Sequence, residues 1–194
     1  NVYDNIAFGL KSKKVPYDTL TRSTLFGKSK NGTYYCKFRD RLMFPILNAG
    51  GDPVAFSGRL VPWHSQEPGK KDAKYVNSSG NESESDNIYV KGETLFGWNF
   101  ARPEAVRQGE VILVEGNPDT SKMHQIGITN VVAACGTALT EKHAELLKKH
   151  VQRVTLLYDS DAAGQKATEK NDFLKDHIVF ASVPAPKPKK PVKD

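Results

Sequence analysis

Val154-Thr155-Leu156-Leu157-Tyr158-Asp159-Ser160-Asp161-Ala162-Ala163-Gly164 is the stretch on which the reading of this chain turns. It opens with four apolar or β-branched residues, the composition of a buried strand. It closes on two aspartates spaced i, i+2, and side chains two apart on a strand point the same way. Asp159 and Asp161 are therefore expected to project together from a strand's carboxyl end, the edge where open α/β sheets bind ligands. Two carboxylates held that close repel unless a proton or a cation sits between them. Oxygen-only donors with open positions suit Mg²⁺ or Mn²⁺ and not zinc. Asp, Ser and Gly are also common turn residues, so a solvated β-turn is the competing reading of these residues alone.

The pattern around this stretch is regular. From Glu110 onward strands alternate with helices: Val111–Val114, a helix over Asp119–Gln125 opened by Pro118, Asn130–Ala134, a helix over Glu141–His150 capped by Thr140, Val154–Tyr158, a helix over Ala163–Leu174, and Ile178–Val183. Strands separated by helices imply a parallel sheet with right-handed crossovers. Glu115 follows the first of these strands, so it is expected on the same edge as Asp159 and Asp161.

Upstream the character differs. Thr33–Phe38 and Arg41–Leu47 are strand-like, Asn48-Ala49-Gly50-Gly51-Asp52 is a turn, and Val54–Val61 returns as the partner strand. Paired glycines supply the positive φ such a turn needs. Arg39, Arg41 and Arg59 lie on or beside this hairpin. The i, i+2 spacing puts Arg39 and Arg41 on one face, where guanidinium forks could hold phosphates; a solvated sheet face is the plain alternative. Residues 1–32 read as short helical turns and loops. Residues 62–87 read as an exposed polar loop in which Lys74-Tyr75-Val76-Asn77 carries the apolar anchors. Leu95–Ala105 leads into a short helix with Pro103 near its first turn.

The whole chain has 194 residues, 38% hydrophobic and 26% charged, a profile with room for a sizeable core. Its formal charge of +6 is uneven. Residues 1–108 carry 16 Lys and Arg against 11 Asp and Glu, residues 109–180 carry 8 against 10, and residues 181–194 carry 4 against 1. A basic region followed by a slightly acidic one suits a polyanion partner and a metal site. Cys36 and Cys135 each sit alone in apolar runs and read as buried free thiols, with no zinc site expected. No apolar run approaches the roughly 20 residues a membrane helix needs. The chain begins at Asn1, which suggests a piece of a longer polypeptide. Three regions are expected: a basic subdomain over 1–108, truncated at its start, an α/β domain over 109–183, and a Pro/Lys-rich tail or linker over 184–194.

Several motifs in order carry a resemblance. Glu115-Gly116-Asn117-Pro118-Asp119 and Tyr158-Asp159-Ser160-Asp161-Ala162-Ala163-Gly164 resemble the metal site of the TOPRIM domain shared by bacterial-type primases and topoisomerases. Phe38-Arg39-Asp40-Arg41-Leu42-Met43-Phe44-Pro45-Ile46, Phe56-Ser57-Gly58-Arg59, Lys74-Tyr75-Val76-Asn77-Ser78 and Gly136-Thr137-Ala138 resemble segments of the RNA-polymerase core of the bacterial replicative DNA primases. Together they run from about Gly9 to about Val183. The chain departs from that family's pattern at Ser160, where Gly is usual, and at Asn117-Pro118, where an aromatic residue usually follows Glu-Gly.

The resemblance implies a TOPRIM-type α/β fold preceded by a smaller basic mixed α/β subdomain, and a DNA-templated RNA-primer polymerase using nucleotidyl transfer. It implies Glu115, Asp159 and Asp161 as catalytic residues, and Glu115, Asp119, Asp159 and Asp161 as ligands of Mg²⁺ or Mn²⁺. Asp194 stands as a third acidic position. It implies Arg39, Arg41, Arg59, Lys74 and Tyr75 as the nucleotide- and nucleic-acid-binding set. The partners are a single-stranded DNA template, ribonucleoside triphosphates and a replicative helicase engaged through a region outside this chain, with no membrane; the location is cytoplasmic, at the nucleoid. A TOPRIM nuclease or topoisomerase-like strand cutter is the enzymatic alternative, and a receiver-like acidic-pocket domain the non-enzymatic one.

Overall fold

The computed structural model describes residues 25–32, 34–63, 72–78, 88–136 and 138–158, single positions at 14, 16 and 19, and the backbone of a last strand at 179–182. Packing divides the chain into two compact units, residues 1–45 with 55–80 and residues 46–54 with 81–194.

In the second unit a five-stranded sheet has the order β10-β9-β7-β8-β6. Its strands are β6 (Leu95–Phe96), β7 (Glu110–Val114), β8 (Val131–Ala134), β9 (Arg153–Leu157) and β10 (Val179–Ser182). β10, β9, β7 and β8 run parallel, and β6 adds antiparallel to β8. Between them lie α1 (Trp98–Gln108), α2 (Asn117–Gln125) and α3 (Glu141–Lys148). This is the mixed α/β architecture expected from the alternation, though β6 was not foreseen: two residues are too few to show a period.

Strand alternation sorts the core into two layers. Val111, Leu113, Val132, Val154 and Leu156 point to the face covered by Trp98, Ala101 and Ala105 of α1 and by Ala144 and Leu147 of α3. Val114, Val131 and Ala133 point to the other face, with Ile112, Leu157 and Met123 of α2. A sheet covered on both faces needs strands apolar throughout, and all four residues of β8 are buried. Truncating a fully buried side chain such as Leu156 to Ala should cost about 2–5 kcal/mol. α1 belongs to this core because its small residues let it lie close to the sheet. It begins at Trp98, after Gly97 at φ +82°, so Pro103 falls inside the helix and not near its first turn.

α2 and α3 cover opposite faces while their connections run in opposite directions across the sheet, as a common handedness of crossover requires. The connection from β7 leads to β8 on one side; the connection from β9 leads to β10 on the other. The crevice between β7 and β9 is therefore the topological switch point of the sheet.

Between residues 26 and 77 the chain is built from short antiparallel pieces. β1 (Phe26–Lys28) pairs with β2 (Tyr34–Cys36). β1 lies where loops and helical turns were expected, because three residues among Gly and Lys carry no strand signal. β3 (Arg41–Leu47), β4 (Pro53–Leu60) and β5 (Tyr75–Asn77) form a sheet in that order. β3 is the edge strand, which tolerates Pro45. The turn between β3 and β4 is set by Asn48, whose Oδ1 accepts from the amides of Gly50 and Asp52, and by Gly51 at φ +96°.

Candidate functional site

The acids come first. β7 and β9 are adjacent and in register, with Val114 opposite Leu157. Glu115 leaves β7 at the switch point and is exposed. Gly116, extended at φ −137°, then turns the chain into α2, with Pro118 at its start. Asp119 lies in that helix's first turn, where a carboxylate favours the helix dipole. Its Oδ2 comes within 3.0 Å of the place a Cβ on Gly116 would occupy, so the carboxylate folds back toward the strand end. Asn117 and Thr120 are buried, and the Thr120 hydroxyl donates to the Gly116 carbonyl at 3.3 Å. The Glu-Gly-Asn-Pro-Asp turn is thus fixed by the start of α2.

Asp159 and Asp161 follow Leu157 by two and four residues. They lie outside the described residues, as do Asp194, Thr137 and the helix expected over 163–174. Among the described residues no group of three or more Asp, Glu, His or Cys side chains is placed to hold a metal. Glu115 and Asp119 are the two sequence-predicted ligands whose side chains are described, and both are oxygen donors. The softer donors nearby are committed elsewhere. His143 is fully buried in the capping box of α3. Cys135, buried beyond the end of β8, has its thiol pushed up chiefly by burial, against the opposing effects of the Tyr89 hydroxyl, the Phe96 backbone and the Lys91 charge. The donors at the switch point therefore fit a hard divalent cation such as Mg²⁺ or Mn²⁺. Both cysteines are free, but Cys36, expected to be buried, is half-buried at the end of β2 in a two-stranded ribbon.

The basic residues occupy the first unit and have three different settings. Arg39 stands in the turn before β3, exposed, with its guanidinium 5.6 Å from the Tyr35 ring centroid. Asp40, at φ +51°, separates it from the strand. β3 begins only at Arg41, so strand alternation does not relate Arg39 to Arg41, and the expected shared face loses its basis. Arg41 is half-buried and donates from Nη1 to the carbonyls of Gly58 at 3.1 Å and Lys74 at 3.4 Å. It ties β3 to its own sheet. Gly58 makes this possible: a Cβ there would lie 2.9 Å from Arg41 Cδ and 2.8 Å from Phe38 Cδ1. Arg59 and Tyr75 are cross-strand partners on β4 and β5, with the guanidinium 5.9 Å from the ring centroid. Lys74 is exposed, just before β5, and its carbonyl accepts from the Leu60 amide.

Sequence reading passed over Tyr34 and Tyr35, which meet Lys28 and Arg39 as ring-and-cation pairs. The interleaving of aromatic and basic residues in Tyr34-Tyr35-Cys36-Lys37-Phe38-Arg39 was the available signal.

Comparison with known proteins identifies the family. The sequence matches the family described as DNA primase catalytic core, N-terminal domain, over residues 2–102, and the Toprim domain over residues 109–177. It is 36% identical over 172 residues to the DNA primase of Helicobacter pylori strain J99, covering 88% of this chain and 29% of that protein. It is 40% identical over 159 residues to the DNA primase of Lactococcus lactis, covering 82% of this chain and 23% of that one. The chain thus spans less than a third of these relatives. Among solved structures, the Aquifex aeolicus primase zinc-binding and RNA polymerase domains align with a TM-score of 0.82 at 31% identity, over 97% of this chain and 44% of that one. A DnaG primase catalytic domain bound to single-stranded DNA aligns with a TM-score of 0.76 at 28% identity, over 97% of this chain and 59% of that one.

Proposed function

The chain belongs to the DNA primase catalytic-core family, joining that family's N-terminal core domain to a Toprim domain, and from that premise we propose that it catalyses metal-dependent, DNA-templated joining of ribonucleotides. The relatives it matches are DNA primases, and a solved relative binds single-stranded DNA. The strand-cleaving and receiver-like alternatives are not favoured by these matches.

The observation that carries the reading is the switch point. β7 and β9 are neighbours, Glu115 leaves one, and Asp159-Ser160-Asp161 follows the other two residues past Leu157. We assign Glu115, Asp159 and Asp161 as catalytic residues, with Asp119 as a further metal ligand. A divalent cation held there supplies charge neutralisation for phosphoryl transfer, which needs positioning more than covalent chemistry. Glu115, exposed at the strand end, would in this reading ligate the cation or accept a proton from the attacking 3′-hydroxyl.

Arg39, Arg59, Lys74 and Tyr75 bind triphosphate and template phosphates in this reading, with Arg39 and Lys74 the most exposed of the three cations. Phosphate contacts set register and carry no sequence information, which suits a template-reading enzyme. Arg41 contributes by holding the sheet that presents them. Action during replication beside a helicase, in the bacterial cytoplasm, follows from the same reading. Among the described residues no helix is long and apolar enough to cross a membrane.

The test is incorporation of labelled ribonucleotides on a single-stranded template with Mg²⁺ or Mn²⁺, run with and without an annealed primer. Metal-dependent incorporation lost in Asp159→Asn is the expected result. Metal-dependent cleavage of the DNA with no incorporation would return the strand-cutting alternative.

A further inference from the structure

The first unit repeats one device three times. Lys28 Nζ lies 5.6 Å from the Tyr34 ring centroid, Arg39 Cζ 5.6 Å from that of Tyr35, and Arg59 Cζ 5.9 Å from that of Tyr75. Cation and ring at such distances attract through the ring quadrupole. The Arg39 pair has a feature the others lack. Tyr35 is the cross-strand partner of Gly27 on β1. A Cβ at Gly27 would lie 2.7 Å from Tyr35 Cζ, 2.8 Å from Oη and 3.1 Å from Cε1. The outer end of the ring therefore occupies the space a side chain at position 27 would fill. Gly27 is not at positive φ, so close approach is the reason for glycine here and backbone conformation is not.

Tyr35 is thus located from below by bare backbone, and the exposed Arg39 is located by Tyr35. A long exposed side chain loses rotamer freedom when it grips a phosphate. A ring that already restricts the guanidinium lowers that loss.

We propose that Tyr35, seated against Gly27, is a positioning residue that holds the Arg39 guanidinium ready for a phosphate of single-stranded nucleic acid. The inference rests on the reading of Arg39 as a phosphate ligand. The simpler account makes the pair a surface contact that contributes to folding and nothing else, and the two accounts differ in what salt does.

The experiment measures binding of a labelled oligothymidylate to the full 194-residue chain by fluorescence anisotropy across a salt series. The variants are Arg39→Ala, Tyr35→Leu, Tyr35→Phe, Gly27→Ala and the Arg39→Ala/Tyr35→Leu double. Arg39→Ala should lower the slope of log K against log salt by about 0.7, one phosphate's worth on a single strand. Tyr35→Leu should weaken binding about two- to fivefold, the size of an exposed cation–ring contact. Gly27→Ala keeps both side chains but displaces the ring, and should weaken binding to the same extent. Tyr35→Phe keeps the ring face and should bind as wild type. The double variant should bind no more weakly than Arg39→Ala. If Tyr35→Leu weakens the Arg39→Ala protein by the same factor as wild type, the ring does not act through Arg39 and the proposal falls. A wild-type salt slope for Arg39→Ala removes the phosphate reading itself, and the inference with it.

Discussion

Val114 and Leu157 are register partners on neighbouring parallel strands, so the chain leaves β7 at Glu115 and β9 at Tyr158 side by side on one sheet edge. The sheet's connections diverge at that pair of strands. Such a divergence is where open α/β sheets bind ligands, and Glu115 stands just past one of the two strand ends.

Asp159→Asn should abolish Mn²⁺ binding, because the expected site is made largely of charge. It should leave the metal-free fold as stable as wild type or slightly more so, since it relieves carboxylate repulsion. Calorimetric titration with Mn²⁺ and a thermal melt in chelator check the two halves. Unchanged Mn²⁺ affinity would sink the assignment.

Arg41 and Lys74 should behave differently. Arg41 donates to the carbonyls of Gly58 and Lys74. Arg41→Ala should therefore lower stability by about 1–2 kcal/mol in urea unfolding. Lys74→Ala, at an exposed position, should leave stability within about 0.5 kcal/mol and instead lower the salt slope of single-strand binding by about 0.7. The reverse pattern would exchange their roles.

His143 makes stability depend on pH. Its Nδ1 accepts from the Thr140 amide at 3.2 Å, and its Nε2–H donates to the Thr94 carbonyl at 3.2 Å, so the folded ring is neutral. Burial pushes its pKa below the ordinary value of 6.5, against the Thr94 carbonyl and the Glu93 charge. Below pH 6.5 the unfolded chain then binds a proton the folded chain refuses. The stability this group contributes is complete above 6.5 and is lost as pH falls toward the folded pKa, by up to about 1.4 kcal/mol per pH unit. Urea midpoints across pH 5 to 8 should show that fall, and His143→Gln should flatten it. A variant with the wild-type slope would exclude His143 as its source.

Gly97→Ala should cost about 1–3 kcal/mol. The position has φ +82°, and a Cβ there would lie 3.0 Å from Thr120 Cγ2 of α2. The added methyl strains the backbone that starts α1 and crowds the helix that carries Asp119. Thermal denaturation measures the first effect. Recovery of stability in Gly97→Ala/Thr120→Ser would attribute the remainder to the crowding.

How far the chain could be read depended on period and length. Valine and leucine runs bounded by Gly, Pro and Asp fixed β7, β8 and β9, and Thr140 marked the start of α3, because these signals are local. The position of Glu115 directly after β7 was legible for the same reason. Short elements were not legible. β1, β5 and β6 have two or three residues each, too few to show alternation, and they exist because a partner strand supplies their hydrogen bonds. Helix α1 was placed in part, but it starts at Trp98 after Gly97 at φ +82°, where a Cβ would crowd Thr120 and the Val131 carbonyl.

By itself the sequence determined the fold class, the order of the parallel elements and the acids at their ends, since hydrophobic period and strand-end position are properties of consecutive residues. Tertiary structure alone decided where each basic side chain sits. Asp40 at φ +51° breaks the strand between Arg39 and Arg41. Gly58 then admits Arg41 to the sheet, while Gly27 seats the ring that Arg39 meets. Each placement depends on the space left by a glycine on another strand, and spacing along the chain carries no record of that space.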